Sequence, residues 1–108
     1  MQIEVVFRNV TPADTLKNYA LKRFQKISRI VGNDEEADLL ITLSRESSQF
    51  RADAQLSGTG LNFSASEKND DMYAAIDLCN DRLGQQLRKA AEKRSQIDRS
   101  SISDSLAE

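Results

Sequence analysis

The chain contains no histidine, so the commonest general base at neutral pH and the commonest metal ligand are both missing. Its one cysteine, Cys79, has no partner for an internal disulfide and none for the clustered thiolates of a structural zinc site. No apolar run approaches the roughly 20 residues needed to cross a bilayer, and mean hydropathy is −0.55 with 30% charged residues. Met1-Gln2-Ile3-Glu4 leads straight into alternating sequence, without the basic and apolar regions of a secretory signal, so a cytoplasmic location is expected. No phosphate-cradling Gly-x-x-x-x-Gly-Lys-Ser/Thr or Gly-x-Gly-x-x-Gly opens a helix, since Ser57-Gly58-Thr59-Gly60 links two strand-like stretches instead. The expectation is a protein that is not an enzyme, holds no cofactor or metal and takes no small-molecule substrate.

What is present fits one domain of 108 residues. The formal charge of −2 conceals segregation along the chain. Residues 1–31 hold six basic and two acidic side chains, residues 32–81 three and eleven, and residues 82–108 six and four. A strongly positive face is therefore compatible with an acidic whole, and it is the local field that steers a phosphate backbone.

Ile3, Val5 and Phe7 alternate with polar neighbours, the period of a half-buried strand. Thr11-Pro12-Ala13-Asp14 reads as a helix start, with proline in the first turn and a carboxylate at the positive end of the dipole. Leu16, Ala20, Phe24, Ile27 and Val31 then share one helical face, and Gly32-Asn33 stops the helix. Three further alternating stretches follow, through Ala37 to Leu43, Phe50 to Leu56 and Leu61 to Ala65, separated by hairpin-length breaks that imply an antiparallel meander. From Asn69 to Ile97 the period returns to 3.6, with Met72, Ile76, Cys79, Leu83, Leu87 and Ala90 on one stripe. The order βαβββα predicts an α+β two-layer sandwich, a four-stranded sheet with both helices on one face. That domain spans 1–97, and the serine-rich residues 98–108 are expected to form a disordered tail.

The cations are sorted. On the first helix Lys22, Lys26 and Arg29 form a stripe away from the core, with Arg23 at its border. On the second, Arg82, Lys89 and Lys93 line one flank with Gln86, while Asp77, Asp81, Arg88 and Glu92 occupy another of mixed sign. Asp77 and Asp81, four apart, read as a solvated face and not as a cation site, and Cys79 reads as a small core residue. Phe7, Phe50 and Phe63 fall on the apolar phase of their strands, so they do not offer a stacking platform for unpaired bases. What remains is recognition of phosphates and helical shape in folded RNA by long cations.

The stretch Phe50-Arg-Ala-Asp-Ala-Gln-Leu56, then Asp71-Met-Tyr-Ala-Ala-Ile-Asp77, Asp81-Arg-Leu83 and Gln86-Leu-Arg-Lys89, resembles the ribosome hibernation-promoting factor and protein Y family. Leu16, Lys17, Tyr19, Arg23, Phe24, Lys26 and Ile27 agree more loosely, and the likeness covers about residues 1–95. It implies the same βαβββα fold and a protein that binds the small ribosomal subunit in the messenger and transfer RNA channel, silencing translation in starvation or stationary phase. The rRNA contacts it implies are Lys22, Arg23, Lys26, Arg29, Arg82, Arg88, Lys89 and Lys93, with Arg8 a weaker candidate; for Asp71 and Tyr73 it allows a ribosome contact, but their place at the helix start favours capping and packing. The chain departs from the family at Gln85, Ala91 and Ser95, where many members carry lysine or arginine, and it resembles the short form, expected to be monomeric when free. The competing reading is a protein-interaction module of the sigma-factor-modulating kind, whose binding would tolerate loss of the helix cations.

Overall fold

The computed structural model describes residues 1–32, 36–58 and 60–107, with side chains described to residue 92. Six elements follow one another: β1 (Gln2–Arg8), α1 (Asp14–Val31), β2 (Asp38–Glu46), β3 (Gln49–Gly58), β4 (Leu61–Asn69) and α2 (Met72–Ala107). The strands lie in the order β1-β2-β3-β4. β1 runs parallel to β2, a pairing that needs a crossover, and α1 supplies it. β2, β3 and β4 pair antiparallel, as the hairpin-length breaks predict.

The helix ends are built differently. The N-cap of α1 is Ala13, in extended conformation and without a side-chain cap, so Pro12 precedes the helix and does not occupy its first turn. Asp14 alone supplies negative charge to the helix start. Gly32 closes α1 at φ 83°, its amide donating to the Ser28 carbonyl at 3.0 Å. The start of α2 is capped by side chains: Asp71 Oδ1 accepts from the Tyr73 amide at 3.1 Å, and Asn69 Oδ1 accepts from the Asp71 amide at 3.0 Å. The far end differs from expectation, because the backbone of α2 continues past Ile97 to Ala107. After Gly84 the sequence offers neither glycine nor proline to stop it, and serine is only mildly unfavourable in a helix.

Alternation delivers a single core. Leu39, Ile41 and Leu43 of β2 and Ala52, Ala54 and Leu56 of β3 point to one side, where they meet Phe24 and Ile27 of α1 and Ile76, Cys79 and Leu83 of α2. Small side chains at Ala52, Ala54 and Ala65 let α2 lie close over β3 and β4. Cys79 Sγ reaches the Ala65 carbonyl at 3.6 Å, and burial pushes its thiol from the ordinary 9.0 up to about 12. It is a core residue. Phe7, Phe50 and Phe63 pack against the same core from its margin. The helices run side by side and parallel, since Tyr19 meets Tyr73 and Asp77 while Ile27, two turns on, lies next to Gly84.

Candidate nucleic-acid interface

Lys22, Lys26 and Arg29 stand on the solvent face of α1, all exposed and without an ion pair among the described residues. With Tyr19, Arg23 and Gln25 they line a shallow cleft along the helix. Lysine and arginine stems extended from one helical line put several positive heads within reach of successive phosphates.

Arg23 is used otherwise. Its Nε lies 2.9 Å from Asp77 Oδ1 on α2 and donates to the Tyr19 hydroxyl at 3.1 Å. The Tyr19 hydroxyl in turn donates to the Asp77 carboxylate, 2.8 Å from Oδ1 and 2.9 Å from Oδ2. Tyr73 meets the Tyr19 ring edge-on, centroids 4.8 Å apart at 81°, and the Arg23 guanidinium sits 5.4 Å from the same ring centroid. The hydrogen bond to Tyr19 and the charge of Asp77 both raise the Arg23 pKa, and Asp81 adds to the field. This cluster clamps the two helices together and matches Arg23 with a carboxylate. Asp77 is therefore not the freely solvated group that its spacing suggested.

The second helix divides its cations between two flanks. Arg82 Nε pairs with Glu67 Oε1 of β4 at 2.7 Å, and Gln86 Nε2 donates to the Ser64 carbonyl at 2.8 Å. That flank faces the outer strand. Lys89, seven residues after Arg82 and so on nearly the same helical line, is exposed and makes no ion pair among the described residues. Arg88 turns the other way: a Cβ built on Gly84 would lie 3.1 Å from Arg88 Nη2 and 3.9 Å from Ile27 Cδ1, which puts the guanidinium beside the seam with α1. Exposed Asp81, Gln85 and Glu92 occupy the line between the flanks. The side chain of Lys93 lies outside the described residues.

Of the eight cations singled out from sequence, Lys22, Lys26 and Arg29 form an α1 stripe with Arg88 near its edge, Arg82 and Lys89 form an outlying pair, Arg23 belongs to the clamp, and the side chain of Lys93 is outside the described residues. Only Arg23 and Arg82 are matched with carboxylates among the described residues. Sequence reasoning missed the clamp, because Tyr19 and Asp77 are 58 residues apart and no local pattern joins them. It also missed Asn80, on the buried side of α2, whose Oδ1 has no hydrogen-bond partner among the described residues. Among the described residues no group of three or more histidine, cysteine or carboxylate side chains could hold a metal, and no helix is long and apolar enough to cross a membrane.

Residues 3–95 match the family model described as sigma 54 modulation protein / S30EA ribosomal protein. The chain is 29% identical over 99 residues to a ribosome hibernation promoting factor of Azotobacter vinelandii, covering 92% of this chain and 89% of that one. To the ribosome hibernation promoting factor of Escherichia coli it is 31% identical over 93 residues, covering 86% and 96%. The crystal structure of the Thermus thermophilus Protein Y N-terminal domain superposes with a TM-score of 0.71 at 30% identity, covering 82% of this chain and 98% of that one.

Proposed function

The chain belongs to the sigma 54 modulation protein / S30EA ribosomal protein family, and from that premise we propose that it is a ribosome hibernation factor that occupies the messenger and transfer RNA channel of the small subunit. The observation that carries this reading is the stripe of unmatched cations Lys22, Lys26 and Arg29 on α1. A helix whose neighbouring carboxylate Asp77 is taken by Arg23 and Tyr19, and which leaves three other cations in line, is suited to phosphates, whose condensed counterions are released on contact. Arg88 extends the stripe toward α2, and Arg82, Lys89 and Lys93 supply a second line, with Arg82 exchanging Glu67 for phosphate on binding. Arg23 contributes less as a contact than as the cation that locks α1 to α2 through Asp77.

The protein acts by occupancy. Held in the channel as a monomer in the cytoplasm, it and initiator transfer RNA exclude one another, and no bond is made or broken. The binding domain is residues 1–97, and truncation after Ser95 retains inhibition because it keeps every one of the eight helix cations. Sedimentation of the protein with small subunits, large subunits and intact ribosomes tests the reading: it travels with small subunits and ribosomes, and excess messenger and initiator transfer RNA release it. A complex holding this protein and initiator transfer RNA on one small subunit refutes the mechanism. Binding that survives Lys26→Glu with Lys89→Glu favours a protein partner over RNA.

A further inference from the structure

β1 stands at one margin of the sheet, with β2 as its only neighbouring strand. The Gln2 amide donates to the Ala37 carbonyl at 3.0 Å, in parallel register with β2. Backbone groups alternate in direction along a strand, so Glu4, Val6 and Arg8 also turn theirs toward β2, while Ile3, Val5 and Phe7 turn theirs outward. Among the described residues nothing bonds to these outward groups. The side chains at this margin are short of cover as well: Ile3, Val5 and Phe7 are half-buried, whereas Leu39, Ile41 and Leu43 beside them on β2 are buried. On the opposite face of the strand Glu4 and Arg8 are exposed, with half-buried Val6 between them. Neither charge makes an ion pair among the described residues.

We propose that a second copy of this chain pairs with that edge, in a two-fold antiparallel ladder of β1 against β1 centred on Val6. The outward groups limit the choice of register, because an odd-numbered residue must face an odd-numbered one. A ladder centred on Glu4 opposes two carboxylates at the axis. Centred on Val5, it sets Glu4 against Val6 and Arg8 against Gln2, and centred on Phe7 it sets Val6 against Arg8. Centred on Val6, Glu4 faces the partner's Arg8 and Arg8 faces the partner's Glu4, so both unmatched charges are answered. Val6 then meets its own copy between the two ion pairs, and on the helix side Val5 meets the partner's Phe7. Val5 and Phe7 exchange amide and carbonyl bonds, while the charged pairs and the Val6 pair take the closer, non-bonded positions where side chains interact most. Two-fold symmetry makes each contact twice. Asn9, at φ 55°, turns the chain off the sheet directly after Arg8, which confines the ladder to residues 4–8 of each copy. So short an interface lies at the small end of the specific range. The pair is therefore a state of the free protein at high concentration, and a single copy acts on the ribosome. Lys22, Lys26 and Arg29, on the solvent face of α1, lie outside the ladder.

Sedimentation equilibrium of the full chain at concentrations up to about 1 mM measures the pairing, with circular dichroism to confirm that each variant is folded. Wild type should pass from monomer to dimer within that range. Glu4→Arg sets arginine against arginine at both ends of the ladder and should raise the dimer Kd roughly tenfold or more. Arg8→Glu should do the same by opposing carboxylates. Mixed in equal amounts, the two variants should pair with each other about as readily as wild type pairs with itself, and Glu4→Arg/Arg8→Glu in one chain should restore the homodimer. Recovered pairing separates loss of complementarity from loss of fold. Val6→Lys, which opposes two ammonium groups at the axis, should dissociate the pair while leaving Glu4 and Arg8 in place. Wild type that stays monomeric throughout overturns the proposal. A dimer that survives both single charge reversals overturns it too, since the copies then meet elsewhere, and single variants that stay apart when mixed overturn the register. No arm involves ribosomes, so the result is read independently of the proposed function.

Discussion

Neutralising Lys22, Lys26 and Arg29 together to glutamine should change the salt dependence of ribosome binding more than the fold. All three are exposed and form no ion pair among the described residues, so the substitutions remove charge without orphaning a carboxylate. Surface changes of this kind usually alter stability by less than about 0.5 kcal/mol. Each phosphate contact contributes roughly 0.7 to the slope of log K against log salt on single strands and 0.9 on duplex DNA, which bracket folded RNA. Three contacts are therefore worth about 2.1–2.7 of slope, whatever Arg88 and Lys89 add to both proteins. Between about 50 and 200 mM salt, wild type should lose roughly 20- to 40-fold more affinity than the variant. Filter binding or sedimentation over that range reads the difference directly. Parallel lines for the two proteins would refute the assignment of the α1 stripe to phosphate, however tightly either binds.

Three further outcomes concern the scaffold. Tyr19→Phe removes the hydroxyl that donates to Asp77 and should cost about 1 kcal/mol for a partly buried charge-assisted bond, lowering the thermal midpoint by roughly 4–8 °C; an unchanged midpoint would show that the clamp contributes nothing. Gly84→Ala should stabilise the protein by about 0.5–1 kcal/mol through helix propensity, since the added Cβ meets only the flexible end of Arg88 at 3.1 Å and Ile27 at ordinary contact; a lowered urea midpoint would count against this packing. The Cys79 thiol is raised to about 12 by burial, so the folded state binds its proton more firmly than the unfolded state. The stability this represents is fully present below about pH 9 and falls as pH rises toward 12; a urea midpoint rising over that window in wild type, relative to Cys79→Ala, would contradict it. Slow labelling of Cys79 by thiol reagents at pH 8, accelerated only by unfolding, is the companion measurement.

Periodicity in the sequence was enough to identify the strands, both helices and the core. Ile3, Val5 and Phe7, or Ile41 and Leu43, read correctly because a pleat sends alternate side chains to one side whatever lies opposite. The same logic placed Phe24, Ile76 and Leu83 inside and made Asp71 a cap. It could not place neighbours. A helical wheel says that Arg82 and Arg88 leave α2 on different flanks, but only packing decides that one flank meets Glu67 of β4 and the other the seam with α1. Tyr19, Arg23 and Asp77 look like three unrelated surface residues until the helices lie side by side. The backbone of α2 runs on through the serine-rich segment, where serine is only mildly unfavourable in a helix and neither glycine nor proline follows Gly84.

The bond from Gln86 to the Ser64 carbonyl and the pair of Arg82 with Glu67 lie along the outermost strand on that side of the sheet. An unguarded outer strand is a template on which another chain can add its own backbone, the usual first step of aggregation and strand exchange. Here a glutamine and an arginine from α2 already engage two positions of β4, and an incoming strand would have to displace both. β1, at the opposite margin, has no such pair among the described residues. Self-association through backbone pairing would therefore begin at β1, the margin without such a guard.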